Sequence, residues 1–352
     1  MAPNAESRTH SAHHSKKRMN KGTRILLAAV AVIVCIALLL AITVLILDRI
    51  GQRNLTDDGS SMTTAENAEL DNAGRVRYKG QLYEYKKGIT TILLMGVDSR
   101  NKDDASGEFG RSNQADADVL AVLDPSTHRI TLINISRDAM VEMEILDDYG
   151  NSKGTARAQL ALSYAYGDGA DESCKLTRDA VSGLFYNLPI HAYASIYMDG
   201  IADLVGEIGG VTVTALDTFG PFVKGQNVTL TRSNTEQYIR YRAHDTEGNN
   251  QRMERQKQVL MAMSKAMLSS IREQPISALT VYDAVKRNVT TDLNTGSILY
   301  LARRAATMEL SGDMLKVPGE SVLGEGNHAE FIVDETALYE QILSVFYTPV
   351  DG

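Results

Sequence analysis

Arg240, Arg242, Arg252, Arg255 and Gln256 fall within one short stretch, YIRYRAHDTEGNNQRMERQKQVL. All five side chains are rich in N–H donors. Arginine is suited to forked, two-point contact with phosphate oxygens, so the chemistry this stretch suggests is capture of a phosphate or pyrophosphate. Arg252 and Gln256, four residues apart, share one helical face, and Arg255 lies on an adjacent part of it. Arg240 and Arg242 diverge by about 200° on a helix, so both meet one ligand only where the chain unwinds. Carboxylates and further arginines stand elsewhere. Asp98 follows a strand in GVDSR, Arg111 opens GRSNQADAD, and Asp116 and Asp118 begin the next strand. Arg137 and Asp138 end a third strand in NISRD. A carboxylate at the C-terminal end of a buried strand is placed to meet a ligand or a hard cation such as magnesium. Spacing on a strand puts Asp116 and Asp118 on the same face and leaves the choice between them open.

The elements that must position these residues are legible from hydrophobic pattern. ITTILLMGV is a continuous apolar run and predicts a buried strand at the start of a compact domain, at Ile89. ADVLAVLD, PSTH and RITLINIS read as two strands around a tight turn. Helical spacing marks 157–166, 172–187, 234–242 and 251–271. HAYASIYM reads as a strand, MDGIADLVGEIGG as a helix closed by glycines, and VTVTAL as another strand. Three further elements near 281–286, 295–308 and 335–347 complete an α/β sandwich.

The chain has 352 residues and a formal net charge of -8, which argues against nucleic acid as a partner. Its two cysteines, Cys35 and Cys174, lie in an apolar run and a polar helical segment and form no disulfide framework. His191 and His244 have no triad partners in sight. Residues 25–47 carry no charge and are long enough for one transmembrane helix, which needs roughly 20 residues. Six basic residues precede them against Glu6 alone, so the positive-inside rule keeps residues 1–24 cytoplasmic and places the remainder outside the cell. Residues 48–88 are polar and read as a stalk, ending in a short hairpin at RYKGQLYEYKKG. Residues 89–350 form the extracellular domain.

These blocks resemble the LytR–CpsA–Psr proteins of bacterial cell envelopes. The likeness runs from ILLMGVDSR through GRSNQADADVLAVLDP, ITLINISRD, QLALSYAYGDG and IGGVTV to YIRYRAHDTEGNNQRMERQ, roughly residues 89 to 270. It implies a central mixed β-sheet sandwiched by helices. It also implies a membrane-anchored, extracellular phosphotransferase. The donor would be a glycopolymer (teichoic acid, capsule or similar) on a polyprenyl-pyrophosphate carrier, and the acceptor peptidoglycan. The pyrophosphate site would comprise Arg111, Arg137, Arg240, Arg242, Arg252 and Gln256, with Asp98 and Asp116 as magnesium ligands. Helices around Leu160 and Leu184 would line a prenyl pocket, although core packing is their default reading. The chain departs from the family where RSNQADAD stretches the usual Arg-Ser-Asp-Thr, where Gln159, Leu160 and Ala161 replace a Lys-Ile-Asn segment, and at Asn249. A non-catalytic lipid-binding or regulatory envelope protein, or a pyrophosphate hydrolase, would use much the same residues.

Overall fold

The computed structural model describes residues 55, 61–99, 113–242, 248–324 and 327–351. They fall within one compact unit, Leu47–Gly352. The expected membrane span, the cytoplasmic tail and Arg111 lie outside the described residues. Among the described residues no helix is long and apolar enough to cross a membrane.

The central sheet grows from the apolar run at Ile89. β4 (Thr90–Val97), β5 (Ala115–Asp124) and β6 (Arg129–Ile135) are consecutive antiparallel neighbours. β9 (Ala192–Tyr197) joins β4 in parallel, and β12 (Val289–Thr291) closes that edge antiparallel. At the opposite edge β13 (Glu309–Leu310) and β14 (Leu315–Lys316) both run parallel to β6. The sheet is therefore mixed, as the family resemblance implies.

Alternation sends successive side chains to opposite faces. Leu93, Met95, Leu120, Ile133 and Ile135 face α1 (Leu160–Ala165) and α2 (Asp171–Leu184) in one core. Ile92, Val119, Ala121 and Leu132 face a second core with α7 (Thr295–Ala305), against which Leu260 and Met261 of α5 (Gly248–Glu273) also pack. A third core joins α3 (Met198–Glu207), α4 (Thr235–Arg240), α5 and the ribbon of β10 (Val211–Thr214) and β11 (Asn227–Leu230). Gly209 and Gly210, both at positive φ, close α3 as the sequence suggests. α8 (Glu335–Phe346) matches the last predicted element closely, and α6 (Ser277–Val285) begins four residues before the element predicted at 281–286.

Two regions differ from the sequence reading. Residues 61–88, read as the end of a stalk, carry β1 (Ala68–Leu70), β2 (Val76–Tyr78) and β3 (Gln81–Tyr85). The hairpin of β2 and β3 is the expected one, but β3 also pairs with β17 (Tyr347–Val350), and Met62, Val76 and Tyr78 enter the first core. The folded unit therefore begins well before Ile89. A partner strand from the far end of the chain, invisible to local pattern, orders this polar stretch. The second region is a pair of hairpins. β7 (Met140–Leu146) pairs with β8 (Ser152–Gln159), whose last three residues occupy the start of what reads as a helix from Arg157. β15 (Gly319–Leu323) and β16 (Ala329–Val333) pack beside them through Ala139 and Phe331.

Candidate active site

Antiparallel pairing brings the end of β4, the start of β5 and the end of β6 to one edge of the sheet. Asp98 follows β4, Asp116 is the second residue of β5, and Arg137 lies two residues beyond β6. The pairing of β4 with β5 slips at this place. Gly96 pairs with Ala117 and Val97 with Ala115, leaving Asp116 as the extra, bulged residue. A bulge re-aims a side chain that regular alternation would send elsewhere, and such bulges are frequent beside active sites.

The result separates two acids that the sequence could not. Asp116 pairs with Nη1 of Arg137, and its second oxygen is 3.9 Å from Nη1 of Arg252. Asp118 points into the first core opposite Met95 and Ile135. It is fully buried, and among the described residues neither of its oxygens has a hydrogen-bond partner. Burial pushes its carboxyl well above the usual carboxylate range, with the Asp116 charge adding to the effect. Asp116 is also raised. Burial is the largest cause, Arg137 opposes it, and nearby Asp98 adds to it.

Asp118 leads to a prediction about stability. An acid whose folded pKa is raised is harmless below its unfolded value of about 3.9, and it lowers stability progressively as pH climbs toward the folded value. Asp118→Leu should therefore stabilise the protein at neutral pH by about 1–3 kcal/mol, the usual penalty for a buried polar group without a partner. The gain should shrink toward pH 4. An equal or lower unfolding midpoint for the variant at pH 7.5 would show that Asp118 is satisfied.

The arginine-rich stretch resolves into a short helix, a connection and a long helix. α4 ends at Arg240, and Tyr241 takes an extended conformation with φ -55° and ψ 134°. The unwinding needed for Arg240 and Arg242 to address one place is thus present. Arg240 approaches Oδ1 of Asp98 at 3.8 Å and is held from its own helix by Glu236 at 3.1 Å. Arg242 is exposed, and its charge acts on both Asp116 and Arg252. Arg252, on the first turns of α5, is only 6% exposed. Its guanidinium is held below the ordinary arginine range, first by burial and then by Arg242, although Asp116 and Asp98 pull the other way. A buried cation crowded by another cation is a place where an anion binds favourably. Gln256, half-buried, lies one turn further along α5.

Arg255 does something else. It is completely buried and turned away from this edge, toward Asp217 and the carbonyls of Tyr238 and Tyr241. Local spacing placed it among the anion-binding groups, because its partners lie 14 to 38 residues away in sequence. Gln114, which sequence reasoning passed over, links the site from beneath. Its carbonyl accepts from the Asp98 backbone N–H at 3.2 Å. Leu160 is fully buried in the first core and Leu184 packs against it, so both serve core packing. An open groove of about 560 Å³ runs elsewhere, between β10 and the face of α5 that carries Glu254, Gln258 and Met261. That face is about 200° around the helix from Arg252.

Two carboxylates near enough to repel, with only oxygen atoms to offer, suit magnesium, which is commonly held by one or two protein carboxylates together with substrate phosphates. Among the described residues no cluster of three or more acidic, histidine or cysteine side chains offers a complete protein cage.

In this mixed α/β domain one sheet edge gathers Asp98, Asp116, Arg137, Arg240 and Arg252. The LytR_cpsA_psr family model matches residues 54–343, and the chain belongs to that family. It is 30% identical over 262 residues to the Oceanobacillus iheyensis protein named polyisoprenyl-teichoic acid–peptidoglycan teichoic acid transferase TagU, covering 69% of this chain and 72% of that protein. It is 25% identical over 316 residues to the Bacillus subtilis transferase of the same description, TagV, covering 86% of this chain and 75% of that protein. The crystal structure of B. subtilis TagV superposes with a TM-score of 0.53 at 21% identity, covering 74% of this chain and 96% of that one, a likeness of fold.

Proposed function

We propose that this protein transfers a glycopolymer, of the teichoic acid or capsule type, from a polyprenyl-pyrophosphate carrier to peptidoglycan. It does so by phosphoryl transfer at the outer face of the cell membrane, anchored by residues 25–47. The observation that carries this reading is the crowding of Arg137, Arg242 and the buried Arg252 around Asp116. It is an arrangement of cations that a diphosphate would complete. The names of the TagU and TagV relatives support the same substrate class.

In this reading Arg137, Arg240, Arg242 and Arg252, with Gln256 and Arg111, bind the non-bridging oxygens of the pyrophosphate. The acceptor hydroxyl attacks the phosphorus that bears the glycan. The bond from that phosphorus to the bridging oxygen breaks, and polyprenyl phosphate leaves with the extra negative charge. Guanidinium groups fixed in place before reaction stabilise that growing charge without reorganising, which is where phosphoryl-transfer sites gain most of their rate. Asp116, gripped by Arg137, holds the arginine array in register. Asp98, less enclosed, is placed to take the acceptor proton. Asp98 and Asp116 would also hold magnesium, which when bound supplies positive charge against the pyrophosphate oxygens.

The test is turnover by the full-length protein in detergent micelles, given a polyprenyl-pyrophosphate-linked glycan, peptidoglycan oligomers and magnesium. Glycan joined to peptidoglycan, and lost on chelation with EDTA, is the expected result. Polyprenyl phosphate released without ligation would establish the hydrolase reading, and tight donor binding with no product the non-catalytic one.

A further inference from the structure

We infer that Arg255 is a positioning residue for the diphosphate site, a clamp that ends α4 between Arg240 and Arg242 and so lets both serve one ligand. The inference rests on the proposed donor class for its functional half and on geometry alone for its structural half.

Arg255 is fully buried and cannot touch a substrate, yet nearly every feature of its guanidinium is used. Its Nε donates to the Tyr238 carbonyl at 3.0 Å. Nη2 donates to the Tyr241 carbonyl and Nη1 pairs with Asp217. The group lies 5.3 Å from the ring centroids of both Phe219 and Tyr241, and those two rings stack on each other 3.8 Å apart with an interplanar angle of 1°. The carbonyls it takes belong to the last turn of α4 and to the residue just beyond it. Last-turn carbonyls have no acceptor role inside a helix and need an outside donor. With Arg255 supplying it, the helix stops at Arg240 and Tyr241 extends. Arg240 then reaches Asp98, and Arg242 acts on Asp116 and Arg252. The same helix carries Arg252, three residues earlier. One rigid element therefore delivers one arginine to the ligand and uses the next to set the other two. Lysine cannot replace it, because an ammonium lacks the planar fork that spans two carbonyls and a carboxylate.

The experiment compares full-length Arg255→Lys and Asp217→Asn with the parent protein, so that the clamp is weakened from either side should one variant fold poorly. Two quantities are read. The first is amide hydrogen exchange in 236–242, with no substrate present. The second is the KM for the polyprenyl-pyrophosphate donor against that for the peptidoglycan acceptor, with kcat. A clamp gives faster exchange in 236–242 while β4–β6 stay protected. It also raises donor KM, lowers kcat/KM for the donor about 100-fold, the effect of a misplacement near 1 Å, and leaves acceptor KM unmoved. A structural defect without a positioning role moves both KM values together or neither. Folded variants with parental exchange and donor KM overturn the inference alone. A parent protein that neither binds nor turns over the donor overturns the proposed function. Exchange then still decides whether the clamp exists.

Discussion

Replacing Arg252 by alanine should reduce transfer by about 100–1000-fold while leaving the fold intact. The size follows from what one pre-set donor contributes to a charged transition state, commonly two to three orders of magnitude. Retention of the fold follows from the site itself. Arg252 is buried but held at an electrostatic disadvantage, and it lies beside Arg242 and Arg137 as well as beside carboxylates. Its loss relieves crowding among cations, and Asp116 keeps its pairing with Arg137. The donor should bind more weakly too, since in the proposed reaction the arginine meets pyrophosphate in the ground state as well. The check is kcat/KM with a lipid-linked glycan, beside thermal unfolding of the same preparation. Near-parental transfer by a folded Arg252→Ala protein would remove the arginine cluster as the site of chemistry.

Asp116→Asn should separate binding from turnover. The asparagine fills the same bulged position but surrenders the charge that orders Arg137 and faces Arg252. Taking a negative charge away from the site proposed for a diphosphate favours the donor electrostatically, so donor affinity should hold or rise. Turnover should nevertheless fall by about 100-fold or more, because in the proposed reaction both carboxylates would hold magnesium and the variant keeps only one. In the parent protein, burial raises the Asp116 carboxyl above its ordinary range. Its ionised form therefore gains only as pH climbs past that raised value. The acid limb of the rate profile should lie above the ordinary carboxylate region near pH 4. Parental kcat in Asp116→Asn, or an acid limb at or below pH 4, would transfer the role elsewhere.

Much of this arrangement was legible in the sequence, and the parts that were not share a cause. Local hydrophobic pattern revealed β4, β5, β6 and β9, which bury apolar side chains on both faces of the sheet, and the long helix α5. The need for unwinding between Arg240 and Arg242 followed from helical geometry, and the break at Tyr241 supplies it. What escaped depended on partners distant in sequence. SKGTARAQ, the strand β8, is exposed almost throughout and has no alternating pattern, so only its pairing with β7 makes it a strand. The decision between Asp116 and Asp118 turned on a one-residue slip against Gly96 and Val97. Arg255 looked like its neighbours until Asp217 and Tyr241 were brought to it. Arg111 lies outside the described residues, and its place in the pyrophosphate site is a proposal from resemblance.

The pairing of β3 with β17 has a consequence for how the protein comes into being. Tyr347–Val350, far downstream in sequence, complete a sheet begun by residues 68–85. A nascent chain leaving the ribosome therefore cannot close this sheet until translation has passed Val350. Prematurely terminated copies would leave β3 with an open edge, a feature that quality-control proteases can recognise.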